Sequence, residues 1–260
     1  MKWWKSSKIT LVFLSVLFNT LPALLSAQIV NIERQRLNAD TNGLSGDADL
    51  SFKVVKVVEP LYSFAHNGQI VYRKDRHQLF LIENLLFIKS PGSSFANSGF
   101  IHLRYQNPAE RPILFESFAQ VQFNKLLRVQ YRQLLAAGGR VELFPKNEKN
   151  KVFFGTSVMH EYEIVQNREE VNSDLRMNYY LALRMKFFER MEFNSTTYYQ
   201  PKMGFYRDYR LSTENSLLFD ISSRIQFKFE FSLFYDEIPP PEVTKSTYSV
   251  LNGIRYKFTH

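Results

Sequence analysis

Ile225-Gln226-Phe227-Lys228-Phe229-Glu230-Phe231-Ser232-Leu233 decides the fold. Every odd position is apolar, and every even position is polar or charged. Successive side chains of a strand point to opposite faces, so this segment has one greasy face and one wet face. An amphipathic helix needs apolar residues three and four apart; here they are two apart. Leu175 to Phe187 repeats the pattern. Leu175, Met177, Tyr179, Leu181, Leu183, Met185 and Phe187 take one side, and Arg176, Asn178, Tyr180, Ala182, Arg184 and Lys186 the other.

Similar runs predict strands at 47–57, 62–74, 78–89, 97–106, 112–124, 126–144, 151–165, 173–187, 190–201, 209–222, 224–235 and 246–258. The connections carry turn residues and alternate in character. One set is short and charged, as in Lys74-Asp75-Arg76 and Phe188-Glu189-Arg190. Most of the other set read as longer loops, at Ser90–Ser94, Gln166–Asp174, Pro201–Asp208 and Asp236–Ser246. Short turns at one end and longer loops at the other organise an outer-membrane barrel, with both chain ends on the periplasmic side.

The remaining composition agrees. The 260 residues include no Cys, which excludes a disulfide scaffold, a thiolate metal site and a cysteine nucleophile. The 24 Phe and 14 Tyr are too many for a disordered chain. Residues 1–27 read as a signal peptide: Lys2, Lys5 and Lys8, then an apolar run from Ile9 to Phe18, then Pro22 and Leu25-Ser26-Ala27. Residues 28–46 read as an N-terminal periplasmic segment and 47–260 as the barrel. Removing the three lysines takes the net charge from +8 to +5. Acids and bases are interleaved, so no nucleic-acid partner is expected. The expected partners are outer-membrane lipid and, during biogenesis, the barrel-assembly machinery. The latter would read the terminal strand Tyr248 to Phe258.

A soluble barrel turns its greasy face inward. These long Phe-, Tyr- and Leu-rich faces instead suit lipid, with the charged face in a wet lumen. Arg128, Arg132, Arg140, Glu142, Arg184, Lys186, Lys228, Glu230, Arg255 and Lys257 fall on that second face, as do Glu116, Glu161 and Glu163. Charges facing each other across a narrow bore lose less by pairing than by standing alone, so a paired network is expected. Twelve strands lie between the eight that side chains fill and the sixteen that enclose a water pore.

Ile29–Arg36, Gly43-Leu44-Ser45-Gly46, Leu50-Ser51-Phe52, Arg140-Val141-Glu142-Leu143-Phe144 and Glu161-Tyr162-Glu163 resemble the exported barrels grouped as domain of unknown function 481. The resemblance implies an outer-membrane barrel and no established catalytic residues. The expected role is a structural or binding barrel, or a narrow passive channel for small solutes. No catalytic residue, metal ligand or cofactor is assigned. The alternative is a lipid-modifying hydrolase, which would set His and Ser together on a lipid-facing surface. His102 falls on the wet face, His160 and Glu161 fall on opposite faces, and no His-x-Ser occurs after residue 27. No His–Ser pairing is therefore expected.

Overall fold

The computed structural model describes residues 42–256 apart from short stretches at 57–58, 111–112, 146–149, 166–170, 189 and 224. The signal peptide and most of the periplasmic segment lie outside the described residues, as does Lys257. Twelve strands form one antiparallel up-and-down sheet in chain order. They are β1 (Gly43–Lys56), β2 (Pro60–Lys74), β3 (His77–Ser90), β4 (Ser93–Glu110), β5 (Ile113–Asn124), β6 (Val129–Glu142), β7 (Lys151–Val165), β8 (Val171–Phe187), β9 (Met191–Lys202), β10 (Phe205–Asp220), β11 (Ile225–Asp236) and β12 (Ser246–Tyr256). The shortest has 11 residues and the longest 18. A tilted strand needs roughly 9–11 to cross a hydrocarbon layer, so each is long enough.

The sheet curls on itself. Arg128, in the β5–β6 turn, bonds Glu242 in the β11–β12 loop, and Val243 of that loop packs against Leu127 and Val129. Among the described residues no ladder joins β12 to β1. These are the two edges that a closed barrel brings together.

Register sorts the side chains by parity. Phe80, Arg104, Phe118, Ala136, Met159 and Arg176 stand opposite one another from strand to strand on the inner face. The outward face carries exposed Leu50, Phe52, Ile70, Leu103, Ile113, Val121, Leu135, Val158, Leu181 and Ile254. Outward tyrosines gather at the end of the barrel where β7 runs into β8. Tyr199 lies 5.6 Å from Tyr209, and Tyr209 5.8 Å from Tyr235. Tyr131 meets Tyr162 edge-on at 6.3 Å on the same rim. We call this the loop end and the opposite one the turn end.

The expected contrast in connection length does not hold. Ser90–Ser94 and Pro201–Asp208 read as loops, but the chain reverses through Pro91-Gly92 and Met203-Gly204. Gly92 and Gly204 sit at φ +77° and +80°, which removes the Cβ penalty of a two-residue turn. The longest connections are 143–150 at the turn end and 237–245 at the loop end, one at each. Strand β1 begins at Gly43, four residues ahead of the expected 47.

A closed barrel resists detergent until heated, because its ladders open together. The protein is expected to run as two bands on a denaturing gel, one boiled and one unboiled. A single band insensitive to boiling overturns the barrel.

Candidate functional site

The inner face of β4–β10 is filled rather than hollow. Met159 is fully buried, and Phe118, Leu134, Ala136, Tyr180, Ala182 and Tyr198 pack with it into one apolar cluster. Tyr180 lies flat against its neighbour because residue 155 has no side chain; a Cβ on Gly155 would sit 2.1 Å from the Tyr180 ring. From there Tyr180 reaches across two strands and donates to Glu116 on β5 at 2.6 Å.

Two ion clusters flank this apolar layer. Towards the turn end, Glu116 is approached by Arg140 at 3.7 Å and Arg104 at 3.9 Å, and accepts from Gln106 at 2.5 Å. Arg140 also stacks over Phe153 at 3.7 Å, and Arg104 over Phe118 at 5.0 Å. Such contacts hold a guanidinium against an apolar wall. His102 is buried on this inner face, 2.8 Å from Gln120, and accepts from Arg104 at 3.3 Å.

Towards the loop end, Arg132 bonds Glu163. Arg210 of β10 reaches back to β7, 2.5 Å from Glu161 and 3.5 Å from Glu163, and also bonds Asp236 at 2.8 Å. Arg176 lies 3.7 Å from Glu161 and 2.9 Å from Asp208. Arg132, Arg176, Arg210, Glu161, Glu163 and Asp236 are all buried. Desolvating so many charges is tolerable only because each carboxylate meets one or more guanidiniums.

The other expected lumen charges lie elsewhere or pair locally. Arg128 is not on a strand face: it sits in the β5–β6 turn at φ +55° and bonds Glu242. The strand expected from 126 starts at Val129, because Asn124 and the Lys125–Arg128 turn close the hairpin first. Glu142 meets Lys151 at 2.6 Å across its own hairpin. Arg184 meets Glu192 at 3.3 Å, and Lys228 meets Glu230 at 2.8 Å on one strand. Lys186 is exposed at the end of β8, and Arg255 stands opposite Gln226 in the β11–β12 ladder. Among the described side chains, Arg184, Lys186 and Lys228 therefore do not reach the middle-strand acids, whereas Arg210 and Arg176 do. The expected strand at 209–222 already put Arg210 on the polar side of Tyr209 and Leu211. Its reach to β7 depends on curvature, which no parity rule supplies.

The outward face corrects a second expectation. His160 and Ser173 both lie exposed there, with His160 Nε2 3.1 Å from Ser173 Oγ. They occupy adjacent strands, so no local motif could announce them; β7–β8 register makes the pair. Among the described residues no third group holds His160 Nδ1, and no cluster of three or more His, Asp or Glu is arranged to hold a metal ion.

The chain matches the family described as "Protein of unknown function, DUF481" over residues 61–258. It belongs to the DUF481 family. The match takes in Arg140–Phe144 and Glu161–Glu163, while the segments at 29–36, 43–46 and 50–52 precede it. No curated protein matches this DUF481 chain. Similar solved structures include a NanC porin, at 10% identity and a TM-score of 0.48 over 83% of this chain and 98% of that one. A KdgM porin is 7% identical with a TM-score of 0.43, over 83% and 100%. The CymD monoaromatic hydrocarbon channel is 8% identical with a TM-score of 0.41, over 84% and 79%.

Gly155→Ala is expected to push Tyr180 off Glu116 and lower unfolding stability by about 1–3 kcal/mol, the usual cost of overpacking. Gly253→Ala, where nothing lies within 4 Å of the added carbon, is the matched control and should change little. Denaturant titration of both variants in detergent makes the comparison.

Proposed function

We propose that this DUF481 protein is an exported outer-membrane barrel whose lumen is held closed by the two ion clusters, and that it passes small solutes only when they rearrange. Tyrosine rows at a barrel rim, over an outward apolar band, support the membrane setting, since amphipathic rings favour the interface between lipid and water. The observation that carries the closed lumen is Arg210. It spans from β10 to Glu161 and Glu163 on β7, so the wall is tied to itself across the interior.

The inner face of β1 is the least covered part of the interior. Ser45, Asp47, Asp49, Ser51 and Lys53 on the inner face of β1 are exposed, whereas their counterparts on β5–β7 are largely buried. Acids and a base share that stretch, which favours a weakly selective path over an anion filter. Outer-membrane lipid and the barrel-assembly machinery are the proposed partners.

Planar-bilayer recording tests this reading. Wild type is expected to be silent or to show small, brief openings. Glu161→Gln and Glu163→Gln keep the shape but remove the charge that the arginines grip, and either should raise conductance several-fold. Removing one member of a buried ion pair costs about 3–5 kcal/mol, so the two-band gel is run on each variant to show that it still folds. Large, steady wild-type conductance overturns the closed lumen.

The lipid-hydrolase alternative is left with the His160–Ser173 contact alone. Purified protein in mixed micelles is expected to release no fatty acid, and Ser173→Ala to change nothing. Hydrolysis lost in that variant reverses the choice.

A further inference from the structure

Glu83 is out of place. Among the described side chains it is the one acid within a strand that faces outward; Glu116, Glu142, Glu161, Glu163, Glu192, Glu214, Glu230, Asp220 and Asp236 all fall on the inner face by register. The outward residues of β2 run Tyr62, Phe64, His66, Gly68, Ile70 and Tyr72. Two tyrosines ten residues apart on a tilted strand are separated by roughly 24 Å along the membrane normal, about the height of an outer-membrane apolar band. Glu83 stands opposite Gly68, and His66 lies one step along, so the pair straddles the middle of that band.

Two hydrogen bonds hold the pair in place. His66 Nδ1 lies 3.1 Å from the carbonyl oxygen of Asp49, and Nε2 lies 2.9 Å from Glu83 Oε1. A carbonyl can only accept, so Nδ1 carries a proton. Nε2 and Glu83 Oε1 share the next proton between them. The contact is a hydrogen-bonded pair of an imidazole and a carboxyl group, with the Glu83 side chain 41% exposed. Hydrocarbon offers nothing to the second carboxylate oxygen, and an ionisable group at this depth is costly unless protein covers it. Several other outward polar residues are uncharged and bond one another, as Thr197 does with Thr213 at 2.9 Å and Ser195 with Asn215 at 2.7 Å.

The surface around the pair is cut low. Gly46 and Ala48 on β1 and Gly68 on β2 lie beside it on the outward face. Glu83 leans over Gly68 so closely that a Cβ there would meet its Oε1 at 2.7 Å. Strand β1 is exposed along all 14 residues.

We propose that the outward face of β1–β3 is an interface with a second copy of this chain, in which His66 and Glu83 of one protomer face Glu83 and His66 of its partner. Self-complementarity favours that occupant. A two-fold contact requires each residue to meet its counterpart's partner, and one base beside one acid is its own complement. Small residues let two backbones approach inside lipid, as they do between membrane helices. The inference rests on the membrane reading above.

The chain has no cysteine, so single substitutions report contacts cleanly. Ala48→Cys is placed beside the pair and Leu217→Cys on the outward face of β10, and each full-length protein is oxidised in native outer membranes. The expected result is a disulfide-linked homodimer from Ala48→Cys and little or none from Leu217→Cys. Adding Glu83→Leu, or separately His66→Phe, should cut the Ala48→Cys dimer at least fivefold while both gel bands persist. Co-expressing Ala48→Cys copies that carry His66→Glu with copies that carry Glu83→His should restore it, because the heterodimer again sets a His beside a Glu. No homodimer from Ala48→Cys overturns the inference, and so does a dimer unchanged by Glu83→Leu, equal crosslinking at Leu217→Cys, or an adduct of another mass. Absence from the outer membrane, or loss of the two-band behaviour in wild type, instead defeats the membrane reading on which it rests.

Discussion

A strand has two faces, and every ladder in this chain assigns one of them to apolar side chains. That constraint governs the rest of the structure. Backbone N–H and C=O groups that leave water must be bonded, and eleven antiparallel ladders meet that need without any help from side chains. With the backbone satisfied, side chains are free to differ completely between the inside and the outside. The outside is Leu, Ile, Val, Phe and Tyr, and nearly all the charge goes inward.

Crowding that charge into a curved interior creates the second feature. Cations and anions that stand on separate strands of a flat sheet converge when the sheet curls. Arg210 illustrates this: its partners Glu161 and Glu163 are three strands away, yet both lie within ion-pair distance. Buried pairs of this kind add little net stability over apolar packing, because desolvation offsets most of the attraction. What they supply is position. The apolar layer around Met159 does the opposite work, filling space without directional bonds.

The outward face has two interruptions of different kinds. His160 and Ser173 lie near the tyrosine rim, where water can satisfy them. His66 and Glu83 lie at mid-height, which the proposed membrane setting closes to water. A histidine therefore carries different meaning at different heights, and height is set by strand register and not by composition.

Alternation such as Ile225–Leu233 determined the strand number, the antiparallel order and the face of most residues, because period two is a local property of the backbone. Strand 151–165 could be read to the residue, since Phe153, Met159 and Glu161 keep strict parity with their neighbours. Hairpin ends were less legible. Gly92 and Gly204 tightened turns that their length suggested were loops, and Arg128 was drawn from strand into turn. Pairing was not legible at all. Which arginine meets Glu161, and that Ser173 meets His160, follow from register between strands and from curvature of the whole sheet. Both are settled only when twelve segments pack together, because each ladder shifts the next.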